Sequence, residues 1–319
     1  MKKIIAVLLC VIIICGAFSS CARESQDKSG LAPRVVCTFD VVAHWTQEIV
    51  KGSYDVFGVT YLVKNGQDIH NYIPSARDMK SLWLSDLIIY IGGESDKWIE
   101  DSIESMNRDD DLKIVRLMDF VEGVHCDNCL DGHDHGGHDH EEAPDEHIWL
   151  SFENTQACIK AIADALCEID TEKYETYQAN LEAYSTEVDA LYGEYKATVA
   201  NAKHKTLVFA DRFPFVYLMN ELGLEYYAAF PGCSAETTAS FKTVITLAEK
   251  VDEHSLPCVL TIEDSSDGIA EAVIENTKSK NARILELDSM QVRQSGEENI
   301  FIDVMRQNLE VLKSALGCE

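Results

Sequence analysis

The sequence has 319 residues, with 55 acidic side chains against 27 Lys and Arg, and a formal net charge of −28. This excess of negative charge argues against nucleic-acid binding and against electrostatic attachment to an anionic membrane, since both need a basic surface. Hydrophobic residues make up 46% of the chain, so it can form a large core and is not a disordered acidic segment. At domain sizes of about 100–200 residues, the length predicts two domains.

The N-terminus has the pattern of an export signal. Lys2 and Lys3 precede an apolar run, Ile4–Phe18, whose fifteen residues fall short of the roughly 20 needed to span a bilayer. The stretch Phe18-Ser19-Ser20-Cys21 that follows resembles a bacterial lipobox. We therefore expect a lipoprotein signal peptide over residues 1–20 and lipid attachment at Cys21. The alternative is an ordinary cleaved signal in which Cys21 is incidental.

Strand-like apolar runs alternate with amphipathic helical stretches in two separate regions of the chain. The pattern predicts an α/β fold with two lobes, each a mostly parallel sheet flanked by helices. Strands of the first lobe are predicted at Val35–Phe39, Tyr54–Val63, Leu87–Ile91 and Ile114–Leu117. Strands of the second lobe are predicted at Thr206–Ala210, Glu225–Ala229, Cys258–Ile262 and Arg283–Leu287. Helices are predicted at Val42–Val50, Ser75–Leu84 and Ile300–Leu316.

Between these regions lies a segment, Thr171–Asn201, with the spacing of one long helix. Its apolar positions step by three and four residues, as on a single helix face: Tyr174, Tyr177, Leu181, Tyr184, Val188, Leu191 and Tyr195. A coiled-coil seam has the same spacing, but the flanking lobes favour a linker helix against which both pack. The predicted organisation is a signal peptide (1–20), a tether (21–33), an N-terminal lobe (34–170), a linker helix (171–201) and a C-terminal lobe (202–319).

Residues 125–147 form a low-complexity segment rich in metal-binding side chains. They include six His, two Cys and eight acidic residues, without a Lys or Arg. Imidazole and thiolate are ligands that zinc prefers, and the glycines of the segment favour a mobile loop over a fixed site. We expect an accessory metal-gathering loop with the histidines His125, His133, His135, His138 and His140.

The cysteines carry two different predictions. Cys126 and Cys129 have the spacing of a zinc-ligand pair, with a disulfide or redox pair as the alternative. Four others lie in apolar strand-like or helix-like contexts and are predicted to be buried thiols: Cys37, Cys158, Cys167 and Cys258. Cys233 lies in a loop, and we rank it below the candidate ligands as another buried thiol.

Two histidines, one outside the His-rich segment and one at its end, are the main candidate metal ligands. His70 follows a predicted strand, where α/β sheets place binding loops, and His147 lies where the His-rich segment returns to helical structure. The stretches Gly66–Tyr72, Pro74–Asp78, Leu87–Glu94 and Asp145–Leu150, with the His-rich insertion and the long helix, resemble the zinc/manganese ABC-transporter substrate-binding lipoproteins. The resemblance extends over essentially the whole chain after the signal.

This resemblance implies four metal ligands, of which His70, His147 and Asp288 match the family pattern. The fourth position departs from it, because alignment on Phe215 and Tyr217 places Arg212 there, and a guanidinium cannot coordinate zinc. Asp211 is the neighbouring replacement, with a loop His or water as alternatives. Arg212 would then pair with a carboxylate near the metal such as Asp288. Glu263 is a weaker candidate ligand.

The family implies capture of a metal ion in the cleft between the lobes and delivery to an ABC permease. The two His ligands and the His-rich segment favour Zn2+ over Mn2+, whose sites are richer in oxygen. The protein is then extracytoplasmic, lipid-anchored to the bacterial membrane and monomeric. The alternative is a surface adhesin or metal-buffering lipoprotein of the same fold, and a bound metal chelate is a third possibility. A secreted zinc hydrolase is not favoured, because the sequence has no His-Glu-x-x-His and no nucleophile elbow. We therefore predict a binding protein and not an enzyme.

Overall fold

Pro33, the first residue described, leads directly into the first strand. The computed structural model describes residues 33–53, 58–63, 67–106, 108, 112–130, 144–234, 238–292 and 300–318. Several sequence predictions lie outside these ranges, namely the signal peptide, Cys21 and the histidines His133, His135, His138 and His140.

The first sheet has four parallel strands in the order β2-β1-β3-β4. They are β1 (Arg34–Cys37), β2 (Gly58–Tyr61), β3 (Leu87–Tyr90) and β4 (Lys113–Arg116). In β3, Leu87 and Ile89 belong to one apolar cluster while Ile88 and Tyr90 belong to another. Both faces of the sheet are therefore covered, which explains why the central strands are continuous apolar runs. The helices of this lobe are α1 (Asp40–Val50), α2 (Ala76–Leu84), α3 (Lys97–Met106) and α4 (Phe152–Ile169).

The linker helix α5 (Tyr174–Ala200) has 27 residues and a length of about 40 Å. The fully buried positions of its predicted stripe are Tyr177, Tyr184, Val188, Leu191 and Tyr195, whereas Tyr174 is exposed. Asn180 donates a hydrogen bond to the carbonyl of Ile49 in α1, and Tyr195 donates one to the carbonyl of Met305 near the C-terminus. The helix is thus joined to elements on both sides of it in the sequence.

The second sheet has the same strand order as the first, β6-β5-β7-β8, and is again parallel. Its strands are β5 (Thr206–Phe213), β6 (Glu225–Pro231), β7 (Cys258–Ile262) and β8 (Arg283–Leu287). The helices that follow α5 are α6 (Val216–Leu222), α7 (Phe241–His254), α8 (Gly268–Asn276) and α9 (Ile300–Ala315). The predicted fold class, two α/β lobes with parallel sheets flanked by helices, is confirmed.

Strand β5 is longer than the prediction of Thr206–Ala210. It continues through two charged residues, Asp211 and Arg212, with a register irregularity between Phe209 and Arg212. The buried Asp211 carboxylate accepts a hydrogen bond from the backbone N–H of Ile262 in the neighbouring strand β7. Because this hydrogen bond satisfies the buried carboxylate of Asp211, the strand can continue past the apolar residues.

The four cysteines in apolar contexts agree with their prediction. Cys37, Cys158, Cys167 and Cys258 are buried free thiols, as predicted. No helix among the described residues is both long enough and apolar enough to cross a membrane.

Candidate metal centre

His70 lies in a short helical turn, Ile69–Asn71, that follows β2. Asp68 begins this turn, and its Oδ1 accepts a hydrogen bond of 2.9 Å from the backbone N–H of His70. The ring Nδ1 of His70 lies 2.7 Å from Ser95 Oγ and 2.9 Å from Glu146 Oε1. Both partners can accept a proton from Nδ1–H, so this network favours the tautomer whose Nε2 carries a free lone pair.

His147 is fully buried just before the helical turn Ile148–Leu150. Its Nδ1 lies 2.7 Å from Asp145 Oδ1, and the same oxygen accepts a hydrogen bond of 2.9 Å from the backbone N–H of His147. Burial opposes protonation of the ring, but the Asp145 and Glu146 carboxylates outweigh it and raise the pKa of His147. The next aromatic residue, Trp149, donates a hydrogen bond to the carbonyl of Ser289 after β8, which fixes this turn against the second lobe.

The two Nε2 atoms of His70 and His147 face one another at a distance of 3.1 Å. When each Nδ1–H donates a hydrogen bond to a carboxylate, both Nε2 atoms carry a lone pair. The two lone pairs repel each other unless a cation lies between them. Two histidines bound to one tetrahedral zinc ion at 2.0–2.1 Å place their nitrogens about 3.3 Å apart. The spacing and orientation of the pair therefore match those of two ligands of a single metal ion.

Glu146 holds several groups of the site in place. It is buried, and its carboxylate accepts hydrogen bonds from the backbone N–H and the hydroxyl of Ser95 and from the thiol of Cys233. Burial alone would raise the pKa of Glu146, but the hydrogen bond from His70 and the charges of both histidines lower it to about 2. A side chain on Gly93 would come within 2.1 Å of Glu146 Oε2, so the backbone here must approach closely.

Cys233 completes a group of three potential metal ligands. Within the described ranges, the ligand atoms of His70, His147 and Cys233 all lie within 4.8 Å of one another. The prediction that Cys233 is a buried thiol is wrong, because the residue is exposed in the loop after β6. Its position at the carboxyl end of a parallel strand, where α/β sheets bind ligands, is the signal that could have identified it.

Arg212 pairs with a carboxylate, but not with the predicted one. Its Nη1 lies 3.1 Å from Oδ2 of Asp68, whose other oxygen holds the backbone of His70. The expected partner, Asp288, accepts a hydrogen bond from the backbone N–H of Met290. Asp68 is the better-placed partner because the turn that carries His70 faces the end of β5, so this ion pair joins the first lobe to the second.

The predicted ligands Asp211 and Asp288 lie outside the group formed by the two histidines and Cys233. The Asp211 carboxylate is hydrogen-bonded to the backbone N–H groups of Arg212 and Ile262. Asp288 Oδ1 accepts from the backbone of the loop that follows β8. In this geometry both side chains hold backbone segments of the second lobe.

Glu263, the weaker candidate ligand, forms hydrogen bonds within the second lobe. Its carboxylate accepts hydrogen bonds from the backbone N–H and hydroxyl of Ser289 and from the backbone N–H of Gln291. It therefore orders the loop after β8.

The root of the His-rich segment is anchored to the second sheet. Cys126 and Cys129 form a disulfide, which is the alternative that their spacing left open. Asn128 and Leu130 exchange backbone hydrogen bonds with Ala228 of strand β6, and His125 is exposed. Leu130, the last described residue before the gap, thus lies at the edge of the second sheet, and the described chain resumes at Pro144, close to His147 in the sequence.

A family model described as "Zinc-uptake complex component A periplasmic" matches residues 35–315. The chain belongs to this family. The resemblance inferred from the sequence motifs is therefore confirmed.

Named relatives agree with this assignment. The chain is 27% identical to the zinc-binding protein AdcA of Streptococcus pyogenes serotype M3 over 98% of its own length and 61% of that protein. It is 25% identical to the zinc-binding lipoprotein AdcA of Streptococcus pneumoniae serotype 4, again spanning about three fifths (62%) of the relative. Identity to the high-affinity zinc uptake system protein ZnuA of Bacillus subtilis is 25%, over 96% of this chain and 95% of that protein.

Solved structures show the same fold. The metal-dependent lipoprotein YcdH of Bacillus subtilis superposes with a TM-score of 0.72 at 24% identity, covering 89% of this chain and 99% of that one. The periplasmic zinc-binding protein TroA of Treponema pallidum superposes with a TM-score of 0.71 at 21% identity and the same coverage. A manganese-bound periplasmic protein from Candidatus Liberibacter asiaticus has a TM-score of 0.72 at 21% identity, covering 89% and 99%. The fold is thus found with more than one metal.

Proposed function

We propose that this protein captures Zn2+ outside the cytoplasm, between His70 and His147, and delivers it to an ABC permease for import. The facing pair of Nε2 atoms, 3.1 Å apart with both Nδ1 atoms held by acceptors, is the observation that carries the proposal. Zinc is the cargo in this account and undergoes no reaction. The names of the AdcA and ZnuA relatives, which describe zinc binding and zinc uptake, support it.

The chemistry of the donors favours zinc over manganese. Two imidazole nitrogens suit Zn2+, whereas Mn2+ is preferentially bound by carboxylate, carbonyl and water oxygens. Asp145 and Glu146 hold the histidine rings by hydrogen bonds and so orient them, which is how carboxylates strengthen imidazole ligands without coordinating the metal. The site therefore combines neutral nitrogen ligands with nearby negative charge that compensates the cation.

The lobes are already joined around the site by polar contacts. The Arg212–Asp68 ion pair links the end of β5 to the turn that carries His70, and Trp149 links the turn after His147 to the carbonyl of Ser289. A single continuous helix, α5, connects the sheets. We propose that zinc release involves a small tilt of the lobes that separates these contacts, and not a wide hinge motion.

The His-rich segment would raise the local concentration of zinc by weak, exchangeable coordination, and lipid at Cys21 would keep the protein near its permease. The known lipoprotein relative AdcA of Streptococcus pneumoniae supports the anchored location. The adhesin alternative stays a prediction from the sequence.

The test separates the cleft from the His-rich segment. Residues 131–143 are replaced by a short Gly-Ser linker, which keeps the anchor of Leu130 on β6 and the backbone hydrogen bond from Asp145 to Val124. We expect calorimetric titration with Zn2+ to show one tight site per molecule in both proteins, because the histidine pair is intact. Weaker sites should be present only in the unmodified protein. Loss of the tight site in the shortened variant would place zinc in the segment and overturn the proposal.

A further inference from the structure

The loop Gly232–Ser234, which follows β6, brings its backbone directly onto the ring of His147. A Cβ atom added to Gly232 would lie 2.6 Å from His147 Cε1 and 3.0 Å from the Cα of Pro214. The ring of His147 is fully buried, and the contacted atom of Pro214 belongs to the backbone, so neither can move away easily. Glycine at this position therefore allows a close approach, and the next residue along the chain is Cys233.

The thiol of Cys233 points to the same carboxylate that orients His70. Its Sγ donates to Glu146 Oε1 over 3.3 Å, and that oxygen also lies 2.9 Å from His70 Nδ1. Among the free cysteines of the described ranges, four are buried and Cys318 is partly buried, whereas Cys233 is exposed. Cys233 is thus the accessible thiol beside the histidine pair, with no apolar packing role that would explain it.

From this geometry we infer that Cys233 is the third protein ligand of the captured zinc ion, bound as a thiolate. The inference rests on the proposed function, since it assumes zinc between His70 and His147. The three ligand atoms lie within 4.8 Å of one another. Zinc bonds of 2.3 Å to sulfur and about 2.05 Å to nitrogen require a sulfur-to-nitrogen separation of about 3.6 Å. Because Sγ and one ring nitrogen of each histidine lie within 4.8 Å of one another, the Cys233 side chain must move towards the pair when zinc binds. An exposed side chain in a loop can make such a shift.

The bond changes are simple. The S–H bond of Cys233 breaks as the Zn–S bond forms, the sulfur keeps the electron pair that it donates to zinc, and one proton leaves to solvent. No electron is transferred. The thiolate is a negatively charged ligand, whereas the Arg212 guanidinium is a cation without a lone pair for zinc and forms an ion pair with Asp68. A His-His-thiolate set also selects soft and borderline cations over Mn2+.

The test uses Co2+ as a spectroscopic probe and Zn2+ in competition with a chelating dye. Five purified proteins are compared: the unmodified protein, Cys233→Ser, Cys233→Asp, Cys318→Ser and His70→Ala. Cys318→Ser is the matched control, because it removes another accessible thiol that lies near the carbonyl of Thr198 and away from the site. We expect a near-ultraviolet sulfur-to-cobalt charge-transfer band in the unmodified protein and in Cys318→Ser, but not in Cys233→Ser.

Zinc affinity should fall in Cys233→Ser by more than about 100-fold, beyond the range found for groups that only orient ligands. Cys233→Asp should lower the ratio of zinc to manganese affinity, because an oxygen replaces sulfur. Cobalt binding that depends on His70 but shows no charge-transfer band would overturn the inference and leave the proposed function standing. Metal binding unaffected by His70→Ala would instead overturn the proposed function.

Discussion

Replacement of His147 by Gln is expected to reduce zinc affinity by more than about 100-fold, because a metal ligand is lost and not merely a group that orients one. His147 is fully buried and its Nε2 faces that of His70 at 3.1 Å. Gln retains much of the volume of the ring, so the cavity left in the core is small. The affinity is measured by competition with a chelating dye, and folding is checked by thermal unfolding of the metal-free protein.

His125→Gln is the matched control for His147→Gln. His125 is exposed at the start of the His-rich segment, beside the Cys126–Cys129 disulfide. We expect its replacement to leave the affinity of the tight site unchanged within a factor of about 2. An equal loss of affinity in both variants would contradict the assignment of His147 as a ligand.

Glu146→Gln is expected to weaken both the fold and the site. The pKa of Glu146 is lowered from 4.5 to about 2, since the hydrogen bond from His70 and the charges of the histidines outweigh the opposing effect of burial. The ionised side chain therefore stabilises the metal-free protein above pH 4.5, and this contribution is lost as the pH falls towards 2. A shift of this size corresponds to about 3 kcal/mol in the free energy of unfolding at pH 7.

We expect urea unfolding of metal-free Glu146→Gln to show this loss at pH 7 and to converge with the unmodified protein near pH 2. Zinc affinity should fall by about 10- to 100-fold, because His70 loses a hydrogen-bond partner that orients it. Glu263→Gln is the control. Burial and the charge of Asp288 raise the pKa of Glu263, so its contribution to stability decreases as the pH rises. Similar pH profiles for the two variants would contradict the assigned role of Glu146.

The fold could be predicted from the sequence because its elements are long and periodic. The predicted strands Cys258–Ile262 and Arg283–Leu287 agree with the observed strands residue for residue. The end of β5 could not be predicted. The strand includes the buried Asp211 because the backbone N–H of Ile262, which is remote in the sequence, donates a hydrogen bond to its carboxylate. Local hydrophobicity carries no information about such a partner.

The site was predictable only in part, because some of its contacts join residues that are remote in the sequence. His70 and His147 were found through motifs shared with a known family, and the structure brings them together. Cys233 was misjudged because its proximity to them depends on the packing of Gly232 against His147, which no local pattern reveals. For Arg212 the sequence predicted a carboxylate partner near the metal, with Asp288 as an example. Asp68 could not be identified because this contact crosses between the lobes.

The most direct test of the central claim is a crystal structure of the zinc-loaded protein with anomalous diffraction measured at the zinc edge. We predict one dominant anomalous peak, at about 2.0–2.1 Å from the Nε2 atoms of both His70 and His147. A dominant peak elsewhere, with the two rings left without metal between them, would contradict the account.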